Sequence, residues 1–100
     1  MSLICHITTQ EEWDKAKLAG YYEAPALKEE GFIHCSEQEQ VEDIIQRYYK
    51  GVDNVIVLQI DTEKLTSQLI FEWSPSVQNT FPHVYGPINL DAVIEAVPFR

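Results

Sequence analysis

All three histidines of this chain sit in short apolar runs, each followed two positions later by a hydroxyl-bearing residue. The runs are Ile4-Cys5-His6-Ile7-Thr8, Gly31-Phe32-Ile33-His34-Cys35-Ser36 and Phe81-Pro82-His83-Val84-Tyr85-Gly86. Runs of this length and composition read as β-strands. Successive side chains of a strand point to opposite faces, so His6 shares a face with Thr8, His34 with Ser36, and His83 with Tyr85. The pattern demands a sheet that presents imidazoles and hydroxyls together. Histidine accepts, donates or ligates near neutral pH, and an ordinary core has no need of three in such company.

The rest of the chain alternates strand and helix signals in its first half. Leu3 to Ile7 reads as a strand. Thr9 with Glu12 three residues on is a capping box that opens a helix carrying Trp13 and Ala16 and stopping at Gly20. Pro25 starts a short helical turn that ends at Gly31, and Phe32 to Cys35 is the next strand. Ser36 with Glu39 reads as a second capping box. Val41, Ile44, Ile45, Tyr48 and Tyr49 then fall at amphipathic-helix spacing up to Gly51. The second half is strand-rich: Val55 to Ile60, Leu69 to Trp73, a polar loop from Ser74 to Thr80, a short strand from His83 to Tyr85, and Ala92 to Phe99. The expected fold is a single α+β domain over residues 1–100, with about six strands in a split mixed or antiparallel sheet and two main helices.

Charge narrows the partners. Sixteen Asp+Glu against seven Lys+Arg give a net charge of −9, and no basic stripe interrupts it, so a nucleic acid is not an expected partner. No apolar run reaches the roughly 20 residues of a membrane span, and no signal-peptide pattern opens the chain, so a cytoplasmic protein without a membrane partner is expected. Cys5 and Cys35 each adjoin a histidine and therefore face the other way. They read as small buried hydrophobes; a cytosolic setting argues against a disulfide, and there is no Cys-x-x-Cys.

The candidate site consists of His6, His34 and His83 for proton transfer and Thr8, Ser36 and Tyr85 for ligand hydrogen bonds. Such a set suits a polar small molecule. A metal is not expected, because no two histidines have a local chelating spacing; a His-based metal-dependent hydrolase requires all three rings to converge. Glu72 shares a strand face with Ile70 and is the carboxylate nearest the sheet interior, a candidate charge partner. Glu23, Glu29, Glu30 and the group from Glu37 to Glu42 read as solvated charges, and Trp13, Tyr48 and Tyr49 as core.

The succession "CHIT", "EEWDKAKLAGYY", "EEGFIHCSEQEQV", "VIVLQID" and "FPHVYGPINLDAVI" resembles, across nearly the whole chain, the small bacterial proteins of domain-of-unknown-function family 952 (DUF952). That family's fold is similar to the ADP-ribosyltransferase superfamily, whose split sheet holds NAD in a cleft. The resemblance implies a nucleotide-like ligand, NAD or ADP-ribose, with His6 and Thr8 matching a ribose-contacting His-x-Thr and His34 the second-strand catalytic position. His83 to Tyr85 would lie at the third motif. Ile7 replaces the usual glycine, and no glutamate or phosphate-binding basic residue has an evident counterpart. The implied function is thus an ADP-ribosyltransferase-like transferase or a binding module that keeps the pocket without the chemistry; the oligomeric state is left open.

Overall fold

The computed structural model describes residues 2–100. In chain order the elements are β1 (Leu3–Thr9), α1 (Gln10–Ala19), β2 (Tyr21–Tyr22), α2 (Pro25–Glu30), β3 (Ile33–His34), α3 (Val41–Tyr48), β4 (Val55–Asp61), β5 (Gln68–Ser74), β6 (Asn79–Tyr85), β7 (Ile88–Asn89) and β8 (Val93–Pro98). The α+β class is as expected, and every strand pairing is antiparallel. The count is higher than the six strands read from the sequence, because β2, β3 and β7 are two-residue pairings too short to leave a periodic signal. Likewise the turn after Pro25 is a six-residue helix.

The strands form two three-stranded sheets, ordered β1-β4-β8 and β3-β6-β5, and a two-stranded pair β2-β7. The larger sheets are joined by an isolated bridge, in which Cys5 and Ser36 exchange two backbone hydrogen bonds of 2.7 Å. Both faces of the first sheet are covered, which its alternating side chains make explicit. Ile4, Ile56, Leu58 and Ile60 enter a core with Tyr22, Ile33, Val84 and Ile88. Cys5, Ile7, Val55 and Val57, one residue out of phase, pack on Val41 and Ile45 of α3. Burying two such α3 side chains contributes on the order of 1.5–3 kcal/mol each, which is what holds so short a helix.

Two local expectations are corrected. The reciprocal capping box before α3 is made by Glu37 and Gln40, not by Ser36 and Glu39. Ser36 has its backbone N–H and C=O committed to Cys5, so the chain stays extended there and helical structure begins one residue later. The strand around His83 also starts earlier than predicted, at Asn79, and runs through Pro82. A proline is tolerated inside this central strand because its nitrogen faces the neighbour that is about to end. The Pro82 carbonyl still accepts from the Cys35 N–H at 3.0 Å, but the reciprocal bond cannot form, and the β3 pairing stops at His34.

Gly86 follows β6 with φ +154°, and a Cβ built there would lie 2.5 Å from Ser67 Oγ and 3.0 Å from Ser67 Cβ. That serine is itself held, donating to the Pro87 carbonyl at 2.6 Å. Replacing Gly86 by alanine is expected to cost about 1–3 kcal/mol in a urea titration, from strain and displacement of this contact together. An unchanged midpoint would show that the loop yields freely.

Candidate functional site

The site begins with strand register. His34 of β3 lies directly opposite His83 of β6, in the position where the ladder makes no hydrogen bonds and side chains approach most closely. Their ring centroids are 5.3 Å apart at an interplanar angle of 76°. Phe32, two residues before His34 and hence on the same face, stacks on the His83 ring at 4.1 Å and 18° and meets His34 edge-on at 4.8 Å. Three rings thus immobilise one another.

Each imidazole is also tied to a carboxylate. Glu30, at the end of α2, accepts from His34 Nε2 at 2.9 Å, the Gly31 turn (φ +85°) bringing the helix end back over β3. Glu72 of β5 accepts from His83 Nδ1 at 2.8 Å and, on the same oxygen, from the Tyr85 hydroxyl. The two donors, Tyr85 first and His83 second, hold the Glu72 carboxyl below the usual carboxylate range, while the Tyr85 phenol is pushed up by the carboxylate it serves. A carboxylate only accepts, so the bonded nitrogens carry the protons. In the neutral rings the lone pairs therefore lie on His34 Nδ1 and His83 Nε2, neither of which has a hydrogen-bond partner among the described residues. His83 is nearly enclosed, with 11% of its side chain accessible, and His34 is open at 54%.

His6 is placed differently. It lies on the face of β1 that carries Ile4 and Thr8, opposite Leu58, and is 6% exposed. Its Nδ1 lies 2.6 Å from the His34 carbonyl and its Nε2 2.8 Å from the Tyr22 hydroxyl, which is also 2.9 Å from Thr8 Oγ1. The carbonyl requires the proton on Nδ1 and leaves the Nε2 lone pair to the tyrosine. Both ring nitrogens are thereby used inside the protein, and burial drives the His6 pKa down to about 4, so the ring is neutral. The structure thus brings His34 and His83 side chain to side chain, while His6 reaches His34 only through its backbone. Thr8 belongs to the His6–Tyr22 group, Tyr85 to the Glu72–His83 group.

Two adjoining cavities flank His34. The larger, about 360 Å³, lies between α3 and the β3–β6 face and is lined by His34, His83 and Ser36 with Ile44, Tyr48, Tyr49, Val77 and Phe81 among its walls. The smaller, about 240 Å³, is lined by His6, Thr8, Glu12, Tyr22 and the Ala24–Ala26 segment. His34, Ile7 and Tyr49 line both. Ser36 is 3% exposed, and its hydroxyl has no hydrogen-bond partner among the described residues, so it is a donor and acceptor available to an occupant of the larger cavity. No lysine or arginine lines either cavity. Among the described residues no three His, Cys, Asp or Glu side chains converge as a metal-ligand group, and no helix is long and apolar enough to cross a membrane. Cys5 and Cys35 are free and buried, and burial pushes both thiols up, which leaves them unreactive.

Sequence reasoning singled out Glu72 but read Glu30 as a solvated charge and Tyr48 and Tyr49 as core. Tyr49 is anchored, donating to the Ile7 carbonyl at 3.0 Å, whereas Tyr48 is 63% exposed at the cavity rim. Phe32 was legible in principle, since a residue two before a strand histidine shares its face.

A family model described as protein of unknown function (DUF952) matches residues 7–96. The crystal structure of protein CC0527 from Caulobacter crescentus is similar at 32% sequence identity and a TM-score of 0.87, covering 97% of this chain and 85% of that one. The solution NMR structure of the same protein is similar at 33% identity and a TM-score of 0.81, over 97% and 84% of the two chains. No curated protein matches this chain.

Proposed function

The chain belongs to the DUF952 family, and we propose that its members' shared fold serves here to bind a nucleotide-like small molecule in the cleft around His34, in an ADP-ribosyltransferase-like arrangement of two split sheets. The observation that carries this reading is the position of His34 on the walls of both cavities, at the seam where the two sheets are linked by the Cys5–Ser36 bridge. A cavity of about 360 Å³ falls in the range that small-ligand sites occupy. Its walls divide as a nucleoside does: Tyr48, Tyr49, Phe81 and Val77 offer flat and apolar surface to a base, and Ser36, His34 and His83 offer polar atoms to a sugar. His83, oriented by Glu72 and Phe32, presents its lone pair as a preorganised acceptor.

Phosphate contributes little to this recognition. With no cationic side chain on the walls and a net charge of −9, a pyrophosphate would have to remain in solvent. NAD, ADP-ribose and the corresponding neutral nucleosides are therefore expected to bind with similar affinity, in the micromolar to millimolar range, roughly −4 to −8 kcal/mol. The lack of a carboxylate on the wall of the larger cavity favours, as the second reading, a binding module over a transferase.

An amide-resolved NMR titration tests the proposal. The signals of His34, Ser36, Tyr49 and His83 should move together with any of these ligands, and His34→Ala should weaken the response about tenfold or more while leaving the spectrum folded. If millimolar ligand moves none of the four, the cleft does not take nucleotides.

A further inference from the structure

We propose that His34 and His83 together form a two-imidazole binding site for a divalent transition-metal ion at the mouth of the cleft. Three features of the pair support it. The first is spacing. A metal–nitrogen bond of about 2.1 Å and roughly 1.1 Å from nitrogen to ring centre place each centroid about 3.2 Å from the ion, so two imidazoles at a near-tetrahedral angle have centroids about 5.2 Å apart. The observed separation is 5.3 Å. The second is the free lone pairs: His34 Nδ1 and His83 Nε2 are the nitrogens left without a protein partner.

The third is the outer shell. Metal-ligating histidines characteristically give their other N–H to a carboxylate, which fixes the tautomer and raises the basicity of the ligating nitrogen. Both histidines here do so, to Glu30 at 2.9 Å and to Glu72 at 2.8 Å. The two carboxylates also balance a divalent charge, and the strongly acidic chain attracts cations generally. With two protein ligands, the remaining coordination positions face the cleft and solvent. Imidazole pairs of this kind suit copper, nickel and zinc, with copper bound most tightly of the three. A bidentate site exchanges its ion readily, so a purified sample need not retain one. The site stands on the histidine pair alone and does not depend on a nucleotide in the cleft.

The test is a titration of the full chain with Cu²⁺, Ni²⁺ and Zn²⁺ in the absence of nucleotide, read by calorimetry and by NMR. Binding at micromolar affinity is expected, with Cu²⁺ first broadening the signals of Phe32, His34 and His83. His34→Gln and His83→Gln should each lower the affinity about tenfold or more. Because a lost fold would also abolish binding, Glu30→Gln, at an exposed position, serves as a second variant and should weaken binding several-fold with an unchanged amide spectrum. Binding that persists in both histidine variants, or no binding at millimolar metal, overturns the proposal. Running the nucleotide titration in chelator keeps its outcome separate from this one.

Discussion

Acidification from about pH 7 to about pH 4 is expected to lower the stability of this chain by about 3 kcal/mol through His6 alone. In the folded protein burial holds the ring neutral down to about pH 4, whereas in the unfolded chain it titrates at its ordinary 6.5. Above 6.5 both states are neutral and His6 adds no pH dependence. As the pH falls below 6.5 the unfolded state takes up a proton that the folded state refuses, so unfolding is progressively favoured until the folded ring also titrates near 4. The difference of roughly 2.5 pH units corresponds to about 3 kcal/mol at 1.36 kcal/mol per unit. Urea titrations across this window should show the loss for the parent chain and a much flatter profile for His6→Asn, which cannot be protonated. Protonation of Glu72 acts at lower pH, because its hydrogen bonds from Tyr85 and His83 hold its carboxyl below the usual carboxylate range. A parent profile as flat as that of the variant would show that His6 is hydrated.

The second large effect is expected at Tyr22. Its ring is almost fully buried at 2% exposure in the main core, and its hydroxyl meets both His6 Nε2 and Thr8 Oγ1. Tyr22→Ala should cost about 3–5 kcal/mol, the range for deleting a large core aromatic. Tyr22→Phe separates the two contributions. It keeps the packing but leaves a buried nitrogen lone pair and a buried hydroxyl without their partner, which should cost about 1–3 kcal/mol. Much of a domain's typical margin of 5–15 kcal/mol is at stake in the alanine variant. Equal losses in the two variants would mean that packing at this position is negligible.

Both predictions concern a residue group that the sequence analysis placed at the ligand site. The alternation in the His6 run was sound: His6 and Thr8 do share a face, and Cys5 takes the other. What alternation cannot reveal is what lies opposite that face. In β1 it is Tyr22, a residue of a two-residue strand whose pairing with β7 is non-local. The same limit hid the approach of His34 to His83. A chelating pair on a helix is visible as a local interval, but a cross-strand pair depends on which strand lies beside which, and in what register.

The sequence by itself determined the features that arise within a few residues. The amphipathic face of α3, the helix ends at Gly20 and Gly31, and the shared faces of His34 with Ser36 and His83 with Tyr85 follow from periodicity and backbone freedom. The motif order was likewise enough to identify the family. Tertiary structure decided which histidines meet. The β3–β6 register sets His34 against His83, and the β5–β6 register delivers Glu72 to His83. Among the described residues β1 and β3's continuation share one isolated backbone bridge, Cys5–Ser36, and His6 reaches a backbone carbonyl instead of a third ring. The physical reason is that side-chain alternation is a property of one strand, whereas register is chosen by the burial of all the strands at once.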